Sequence, residues 1–252
     1  MTQSFPVEKD IAYTVPMETS LFNERGALTI ASYQHILTSL MEKHLLAVGM
    51  DVPSMIKKYG VTWVLLSMNL EIARPVRREE NIIARTWNTT KKTPVYRRDI
   101  ALFDETGARV VAGANFFALF DPEKRKLCTD PSVYAHISLP EEEALIEASS
   151  RFSDEGLGFF EVEKRSVRPS WIDGLGHVNN VRYGEIAYDA LTETERAGMD
   201  RLRRLELYFI HELRPGDEVV MERAEGDGAL YLRGSILPEG GPSFAIRMRF
   251  ED

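Results

Sequence analysis

The 252-residue sequence predicts an α+β protein in which one unit, a long helix wrapped by an antiparallel sheet, occurs twice. A repeated apolar stripe is the first observation: Tyr33 and Ile36 recur 150 positions later as Tyr183 and Ile186. The second observation is that strand-like segments separated by turn residues follow each stripe. The repeat therefore divides the chain into two related halves, each long enough to bury a core of its own.

The first half begins with an apolar periodicity that predicts a helix over residues 27–48. Strand-like segments follow it and predict an antiparallel meander, at residues 63–72, 81–87, 95–103 and 109–120. Within the sheets the repeat distance shortens to 138 positions, since residues 79–82 match residues 217–220. We therefore interpret residues 50–60, between the helix and the first strand, as an insertion.

A segment with several prolines and an acidic run, residues 121–154, predicts a linker that carries a short helix. The second half then predicts a strand over residues 159–167 and a helix from near His177 to residue 191. Turns rich in glycine and proline separate four further predicted strands, at residues 205–213, 218–224, 229–236 and 243–250.

A long helix with a wide apolar face, wrapped by an antiparallel sheet and present twice, is the pattern of two tandem hotdog domains. The predicted boundaries are an N-terminal hotdog over residues 1–125, a linker over residues 126–154 and a C-terminal hotdog over residues 155–252. We expect the two units to pair edge to edge and to bury both helices.

Composition excludes several classes of function. A hydrophobic content of 44% and a charged content of 28% are typical of a globular protein, and no apolar run approaches the roughly 20 residues that span a bilayer. The net charge of −8 argues against nucleic acid as a partner. The N-terminus lacks the basic and apolar regions of a signal peptide, and the single cysteine, Cys128, fits a reducing cytosol. We therefore expect a cytoplasmic protein that binds neither nucleic acid nor membrane.

Basic side chains nevertheless cluster at residues 74–78, 91–98 and 201–204, where an acidic protein could dock. The competing interpretation is that nearby glutamates balance these charges on solvated faces.

An acid and a base lie four residues apart, Asp173 and His177, where a loop is predicted to turn into a helix. The backbone N–H groups of His177 and Val178 would then lie at a helix N-terminus, where an oxyanion can be held. The corresponding segment of the first half has Asn23 in place of Asp173 and Ala27 in place of His177. The sequence therefore predicts that the second half is catalytic and the first is structural.

A third candidate, Glu212, lies on the predicted strand 205–213. Alternation along that strand places Glu212 on the same face as Tyr208 and Ile210, where a carboxylate is costly to bury without a partner. The competing interpretation is a solvated glutamate at the end of a strand. The shift of 138 positions places Arg74 opposite Glu212 in the first half, so this carboxylate is also confined to the second half.

A carboxylate or imidazole that activates water, beside backbone donors for an oxyanion, suits hydrolysis of an activated acyl group. The sequence has no nucleophile elbow, no histidine or cysteine spacing typical of a metal site and no glycine-rich phosphate loop. We therefore expect no covalent nucleophile, no metal and no cofactor. The histidines His35, His44 and His136 are interpreted as structural, as is Cys128.

With these motifs the chain resembles the acyl-ACP thioesterase family, the bacterial relatives of the plant plastid enzymes that release fatty acids from acyl carrier protein. The similarity covers nearly the whole chain. In the first half it rests on residues 26–29, 60–65 and 86–87. In the second half it rests on Asp173, on His177 to Asn180, on Tyr183, and on Glu212 with the turn at residues 216–218.

The resemblance implies a tandem hotdog that hydrolyses fatty acyl-ACP thioesters with water, without metal or cofactor, and releases free fatty acid and carrier protein. The partner is then acyl carrier protein carrying a fatty acyl-phosphopantetheine. The resemblance also implies that the first hotdog shapes the acyl pocket and that the second supplies the catalytic residues Asp173, His177 and Glu212. Asn179 and Asn180 belong to the motif as supporting residues.

Two positions depart from the family pattern. Leu175 stands where the family has an asparagine, and Leu213 stands where plant members have a cysteine. A leucine cannot hydrogen-bond a water, a carbonyl or the histidine ring. Two alternatives stay open. One is an acyl-CoA thioesterase, because the thiols of CoA and ACP share the pantetheine arm; the other is a non-catalytic acyl-thioester binding protein, motivated by Leu175. The sequence leaves open the acyl chain length and whether two chains form a homodimer.

Overall fold

The computed structural model describes residues 12–92, 94–135, 143–238 and 240–251. The extreme N-terminus, which bears on the predicted localisation, and His136 lie outside these residues. No helix in the described part of the chain is long and apolar enough to cross a bilayer.

The first half follows the predicted order of a helix and a meander. Its α1 begins after Thr29, whose side chain accepts a hydrogen bond from the N–H of Ser32 at 3.1 Å, a typical N-cap. The predicted insertion forms α2, which ends at Gly60 in the left-handed conformation. The elements are β1 (Ala12–Val15), α1 (Ile30–Ala47), α2 (Val52–Tyr59), β2 (Thr62–Ile72), β3 (Ile82–Lys92), β4 (Val95–Phe103), β5 (Arg109–Asp121) and β6 (Lys126–Leu127).

The linker and the second half also follow the predicted order, with the unpredicted helix α5 added between the second central helix and the next strand. Two element ends differ in a way that bears on the site. The second central helix begins at residue 180 rather than near 177, and the strand predicted over residues 205–213 ends at residue 209. The elements are α3 (Pro131–Ala135), β7 (Phe160–Ser166), α4 (Asn180–Asp189), α5 (Glu193–Ala197), β8 (Leu202–Phe209), β9 (Glu218–Gly226), β10 (Ala229–Leu237) and β11 (Pro242–Phe250).

One antiparallel sheet runs through both halves in the order β1-β3-β4-β5-β2-β8-β11-β10-β9-β7, with β6 paired to β5. The halves join where β2 pairs with β8, for example Met68 opposite Leu207. This pairing confirms the expectation that the two hotdog sheets meet edge to edge.

The two central helices, α1 and α4, pack against each other, and each contacts a strand of its own half, β3 for α1 and β10 for α4. Gln34 of α1 donates a hydrogen bond from its Nε2 to the carbonyl of Asn180 at 2.8 Å. Gln34 and Gly184 are equivalent positions of the repeat, and they face each other where the helices cross. The core between the helices and the sheet includes the fully buried side chains of Leu37, Met68, Ile186 and Phe244.

The first sheet extends past residue 126, the predicted start of the linker, because β6 pairs with β5. Its later part is attached to both halves. The carbonyl of Ser149 accepts hydrogen bonds from Ser67 at 2.8 Å and Asn69 at 3.0 Å, both on β2. The ring of Phe152 packs on that of Tyr208, on β8, with centroids 5.5 Å apart. Residues 143–152 therefore bridge the junction between the two sheets.

Replacing Gly184 with alanine should destabilise the crossing of α1 and α4. A Cβ at this position would lie 1.9 Å from Gln34 Oε1 and 3.0 Å from Ala31 Cα, so the helices must separate or Gln34 must leave its hydrogen bond. We expect a loss of about 2 kcal/mol in the free energy of unfolding, measured by urea denaturation. Gly174→Ala is the control, since its Cβ would meet nothing within 4 Å. Equal stability of the two variants would contradict this packing.

Stability should fall on acidification because of His44, which is buried in α1 beside the hydroxyl of Tyr13. Burial, together with the charge of Arg98, lowers the pKa of His44 to about 4. Between pH 6.5 and 4 His44 is protonated in the unfolded chain and neutral in the folded chain. The free energy of unfolding therefore has its full value above this window and decreases as the pH falls through it. The loss is on the order of 3 kcal/mol.

The variant His44→Gln should flatten the pH dependence of unfolding in that window, measured by thermal melts from pH 7 to pH 4. His35→Gln is the matched control on the same helix, because the side chain of His35 is exposed. A His44→Gln variant that keeps the full wild-type pH dependence would contradict the assignment to this residue.

Candidate active site

A tight turn brings Asp173 and His177 together. The N–H of Asp173 donates to the carbonyl of His177 at 3.0 Å, and the N–H of Gly176 donates to the carbonyl of Asp173 at 3.1 Å. Gly176 has a φ of 84°, which a glycine adopts without steric cost. One carboxylate oxygen of Asp173 accepts from the N–H of Leu175 at 2.8 Å, and the other lies 3.6 Å from His177 Nδ1. The predicted acid and base are therefore adjacent.

The first half contains the same turn with different side chains. The N–H of Asn23 donates to the carbonyl of Ala27 at 2.9 Å, and Gly26 has a φ of 77°. A short 3-10 helix precedes each turn, Thr19–Leu21 and Pro169–Trp171. The side-chain amide of Asn23 donates to the hydroxyl of Tyr188 in the second half at 3.2 Å. This copy therefore packs against its sister and carries no acid–base pair.

The two motif asparagines shape the start of α4. Asn179 is the N-cap, and its Oδ1 accepts from the N–H of Val181 at 3.0 Å. The carbonyl of Asn180 accepts from Gln34 of α1. Since α4 begins at Asn180, the prediction that it begins near His177 is wrong: the cap delays the helix by three residues.

Of the two backbone N–H groups predicted to hold an oxyanion, those of His177 and Val178, one already has an acceptor within the fold. The N–H of Val178 donates to the carbonyl of Leu213 at 2.9 Å, so the prediction that this N–H holds an oxyanion conflicts with its use in the fold. The N–H of His177 has no acceptor among the described residues. In the sister turn the corresponding N–H, that of Ala27, donates to Asn23 Oδ1 at 3.0 Å.

Glu212 does not lie on a strand, which corrects the predicted alternation along residues 205–213. Regular pairing of β8 ends at Phe209, because the N–H groups of Ile210 and His211 both donate to the carbonyl of Ser243, at 2.8 and 2.9 Å. Two residues opposite one is the arrangement of a bulge, and it breaks the alternation of faces. Glu212 follows in the loop between β8 and β9 with its side chain 34% exposed.

The same loop is nevertheless attached to the acid–base turn. The carbonyl of Leu213 accepts from Val178, and the N–H of Leu213 donates to the hydroxyl of Tyr183 at 3.0 Å. Burial raises the pKa of Tyr183, and the charges of Glu212 and Asp173 raise it further. Asp173 and Glu212 are therefore both close enough to Tyr183 for their charges to act on its hydroxyl.

Two arginines that the sequence reasoning missed contact Glu212. Arg214 donates from its Nε to Glu212 Oε1 at 2.8 Å, and Arg125 forms an ion pair with the same oxygen. Partial burial opposes ionisation of Glu212, but the hydrogen bond and charge of Arg214 and the charges of Arg125 and His177 bring its pKa below the usual value. The sequence position of Arg214, two residues after Glu212, could have indicated this contact. Arg125 lies 87 positions from Glu212, and no local sequence pattern indicates its contact.

Two cavities lie near the central helices. A groove of about 630 Å³ separates the first turns of α1 and α4 and is lined by Asp173 and Arg182 from one half and His35 from the other; His177 and Glu212 do not line it. A cavity of about 20 Å³ lies inside the first half, lined largely by apolar and aromatic side chains, including Met41, Leu45, Met50, Trp63, Tyr96 and Phe117.

Several arginines of the clusters offered as a docking surface pair with carboxylates. Arg74 pairs with Glu80 and Asp104, both at 2.8 Å, and Arg97 pairs with the fully buried Asp99 at 2.8 Å. In the third cluster Arg203 pairs with Glu251, and Arg204 pairs with Glu71 and Glu206. The structure favours the interpretation of balanced charges.

Comparisons with known proteins agree with this architecture. The model of the acyl-ACP thioesterase N-terminal domain matches residues 8–137, and that of the C-terminal domain matches residues 158–249. An acyl-ACP thioesterase from Bacteroides thetaiotaomicron is 22% identical, with a TM-score of 0.81 over 95% of this chain and 97% of that one. The 12:0-ACP thioesterase from Umbellularia californica is 14% identical, with a TM-score of 0.77 over 96% of each chain. No curated protein sequence matches this chain.

At these identities the structural likeness shows the fold, a tandem hotdog. The two family models together match most of the sequence, including both turns and the loop of Glu212. The chain therefore belongs to the acyl-ACP thioesterase family.

Proposed function

We propose that this chain hydrolyses fatty acyl-ACP thioesters to free fatty acid and carrier protein through Asp173, His177 and Glu212 of its second hotdog. Hydrolysis of acyl-ACP thioesters is the activity of the family to which the chain belongs. One observation carries the choice of residues: the same turn occurs twice, and only the second copy holds an acid and a base. The loop of Glu212 is hydrogen-bonded to that copy.

His177 is the proposed base that activates the water. Asp173 lies 3.6 Å from its Nδ1 and orients the ring, so that Nε2 is the nitrogen that takes the proton of the water. Glu212 is a weaker candidate for the base because two arginines stabilise its ionised form. As an anion near His177 it stabilises the imidazolium that forms when the histidine takes the proton.

The proposed reaction is the addition of water to the thioester carbonyl. The oxygen of water bonds to the carbonyl carbon while its proton moves to His177, and the backbone N–H of His177 stabilises the oxyanion. The carbon–sulfur bond then breaks, and the proton returns from His177 to the leaving thiolate. The first hotdog is the proposed site of the acyl chain, because the cavity between α1 and its strands has a largely apolar lining; at about 20 Å³ this cavity must widen to admit the chain.

Substitution of each proposed catalytic residue should abolish most turnover without unfolding the protein. We expect Asp173→Asn, His177→Ala and Glu212→Gln to lower kcat by about a hundredfold or more, the range for loss of a general base or its partner. The measurement is thiol release from acyl-ACPs of increasing chain length, alongside the matching acyl-CoAs.

The control for these variants is His211→Gln, which changes the exposed neighbour of Glu212. If His177→Ala and Glu212→Gln both retain full turnover, the assignment is wrong. Preference for acyl-CoA over acyl-ACP across the panel would instead support the acyl-CoA thioesterase alternative. Binding of both thioesters without turnover would support the non-catalytic alternative.

Leu175 offers a test of how far its departure from the family pattern limits the rate. Its side chain is 60% exposed, on the turn between Asp173 and His177, so a polar residue fits without disturbing the core. We expect Leu175→Asn to raise kcat by about tenfold, because one added hydrogen-bond donor at a reacting oxygen is worth at least that much. Leu175→Ala is the control for the loss of the leucine alone. Equal rates for both variants would show that this position does not contact the reacting atoms.

A further inference from the structure

Glu212 stands in a loop, and regular secondary structure does not hold its carboxylate in place. Its contacts are two arginines: Arg214, two positions along the same loop, and Arg125 of the first hotdog. Arg125 lies in the turn between β5 and β6 and crosses from one half of the chain to the other to reach Glu212. The half that lacks the acid–base pair thus supplies a cation to the proposed site.

The backbone of Arg125 is an unusual place for an arginine. The pairs Phe120–Leu127 and Asp121–Lys126 close the hairpin, and Arg125 is the last residue of its loop with a φ of 51°. Glycine, asparagine or aspartate normally occupies this left-handed conformation, because a Cβ atom crowds the following carbonyl there and only the short polar side chains offset this cost with local hydrogen bonds. Asp227, the other described non-glycine residue with a positive φ, is of the tolerated type.

We propose that Arg125 and Arg214 form an arginine clamp that positions the ionised Glu212 beside His177, and that Arg125 is retained at a strained position for this purpose. Arg125 acts through Glu212 and is a positioning residue. The inference rests on the proposed function, since it takes Glu212 to be needed as an anion.

The charged groups that face Glu212 come from several elements. Arg125 comes from the β5–β6 turn, Arg214 from the loop of Glu212 itself, and His177 from the turn before α4. Asp173, from that same turn, acts with Glu212 on the hydroxyl of Tyr183 in α4. Loss of Arg125 removes one of the positive charges and leaves the negative ones, so the pKa of Glu212 should rise.

The decisive variant is Arg125→Gly, because it removes the side chain and the backbone strain together. We expect an unchanged Tm or a rise of about 2 °C, and a fall in kcat/KM on the order of tenfold at pH 7. The lower part of the acidic limb of the kcat/KM profile, below the bend set by the base, reflects protonation of Glu212. This part should move up by roughly half a pH unit, the size expected for an exposed ion pair. A residue with only a structural role would lower the Tm and leave that limb in place.

The matched control is Lys124→Gln, one position earlier in the same turn, whose cation pairs with Asp121 rather than Glu212. It should leave the acidic limb in place. Arg125→Lys and Arg125→Gln form a second pair of variants, neither of which introduces glycine. The acidic limb should move in Arg125→Gln, which loses the charge, and should stay near the wild-type position in Arg125→Lys, which keeps it. This pair decides the question if Arg125→Gly folds poorly.

An acidic limb that is unchanged in both Arg125→Gly and Arg125→Gln, or that moves equally in Lys124→Gln, would overturn the clamp. That result is distinguishable from failure of the proposed function itself. If Glu212→Gln retains full turnover, Glu212 is not catalytic; if Glu212→Gln is inactive while the Arg125 variants match the wild type, only the clamp is wrong.

Discussion

The pairing of β2 with β8 is the contact on which the rest of the molecule depends. It joins two half-sheets into one and sets α1 and α4 side by side on the same face. From that placement follow the hydrogen bond between Gln34 and Asn180 and the docking of Asn23 on Tyr188. It also brings the β5–β6 turn of one half within reach of Glu212 in the other. The five residue pairs of this junction therefore allow both halves to contribute to the proposed site.

The duplicated turn shows how one backbone serves two purposes. In both copies the side-chain oxygen at the first position accepts hydrogen bonds from the backbone of the turn. Asn23 Oδ1 accepts from the N–H groups of Arg25 and Ala27, and Asp173 Oδ1 accepts from the N–H of Leu175. The amide nitrogen of Asn23 is not used within the turn and donates to the hydroxyl of Tyr188 in the other half. The second carboxylate oxygen of Asp173 is likewise not used within the turn and faces the ring of His177. The two turns therefore differ in what the second atom of this side chain can do, and in the histidine that only the second turn places beside it.

Sequence periodicity predicted the elements well where a single local rule decides them. The apolar stripe of α1 and the alternating strands β4 and β11 lie within a few residues of the predicted ranges. The failures occurred where two segments compete for one backbone group. Ser243 accepts from two successive N–H groups and ends β8 before Glu212, and Leu213 takes the N–H of Val178. Arg125 was missed because its contact with Glu212 crosses the junction of the halves, which no local pattern records.

The crossing of α1 and α4 places a large side chain against a residue without one, Gln34 against Gly184. In a dimer of identical chains, a residue on the two-fold axis meets its own copy, so such a large-against-small pair cannot form there. Joining the two units in one chain removes that requirement. If the halves were produced as separate chains, each would fit only the other. A pair of first halves would place Gln34 against a second Gln34, and a pair of second halves would leave a gap between two copies of Gly184. The chain has thus become an obligate pair of unlike partners that cannot revert to a symmetric assembly without rebuilding this crossing.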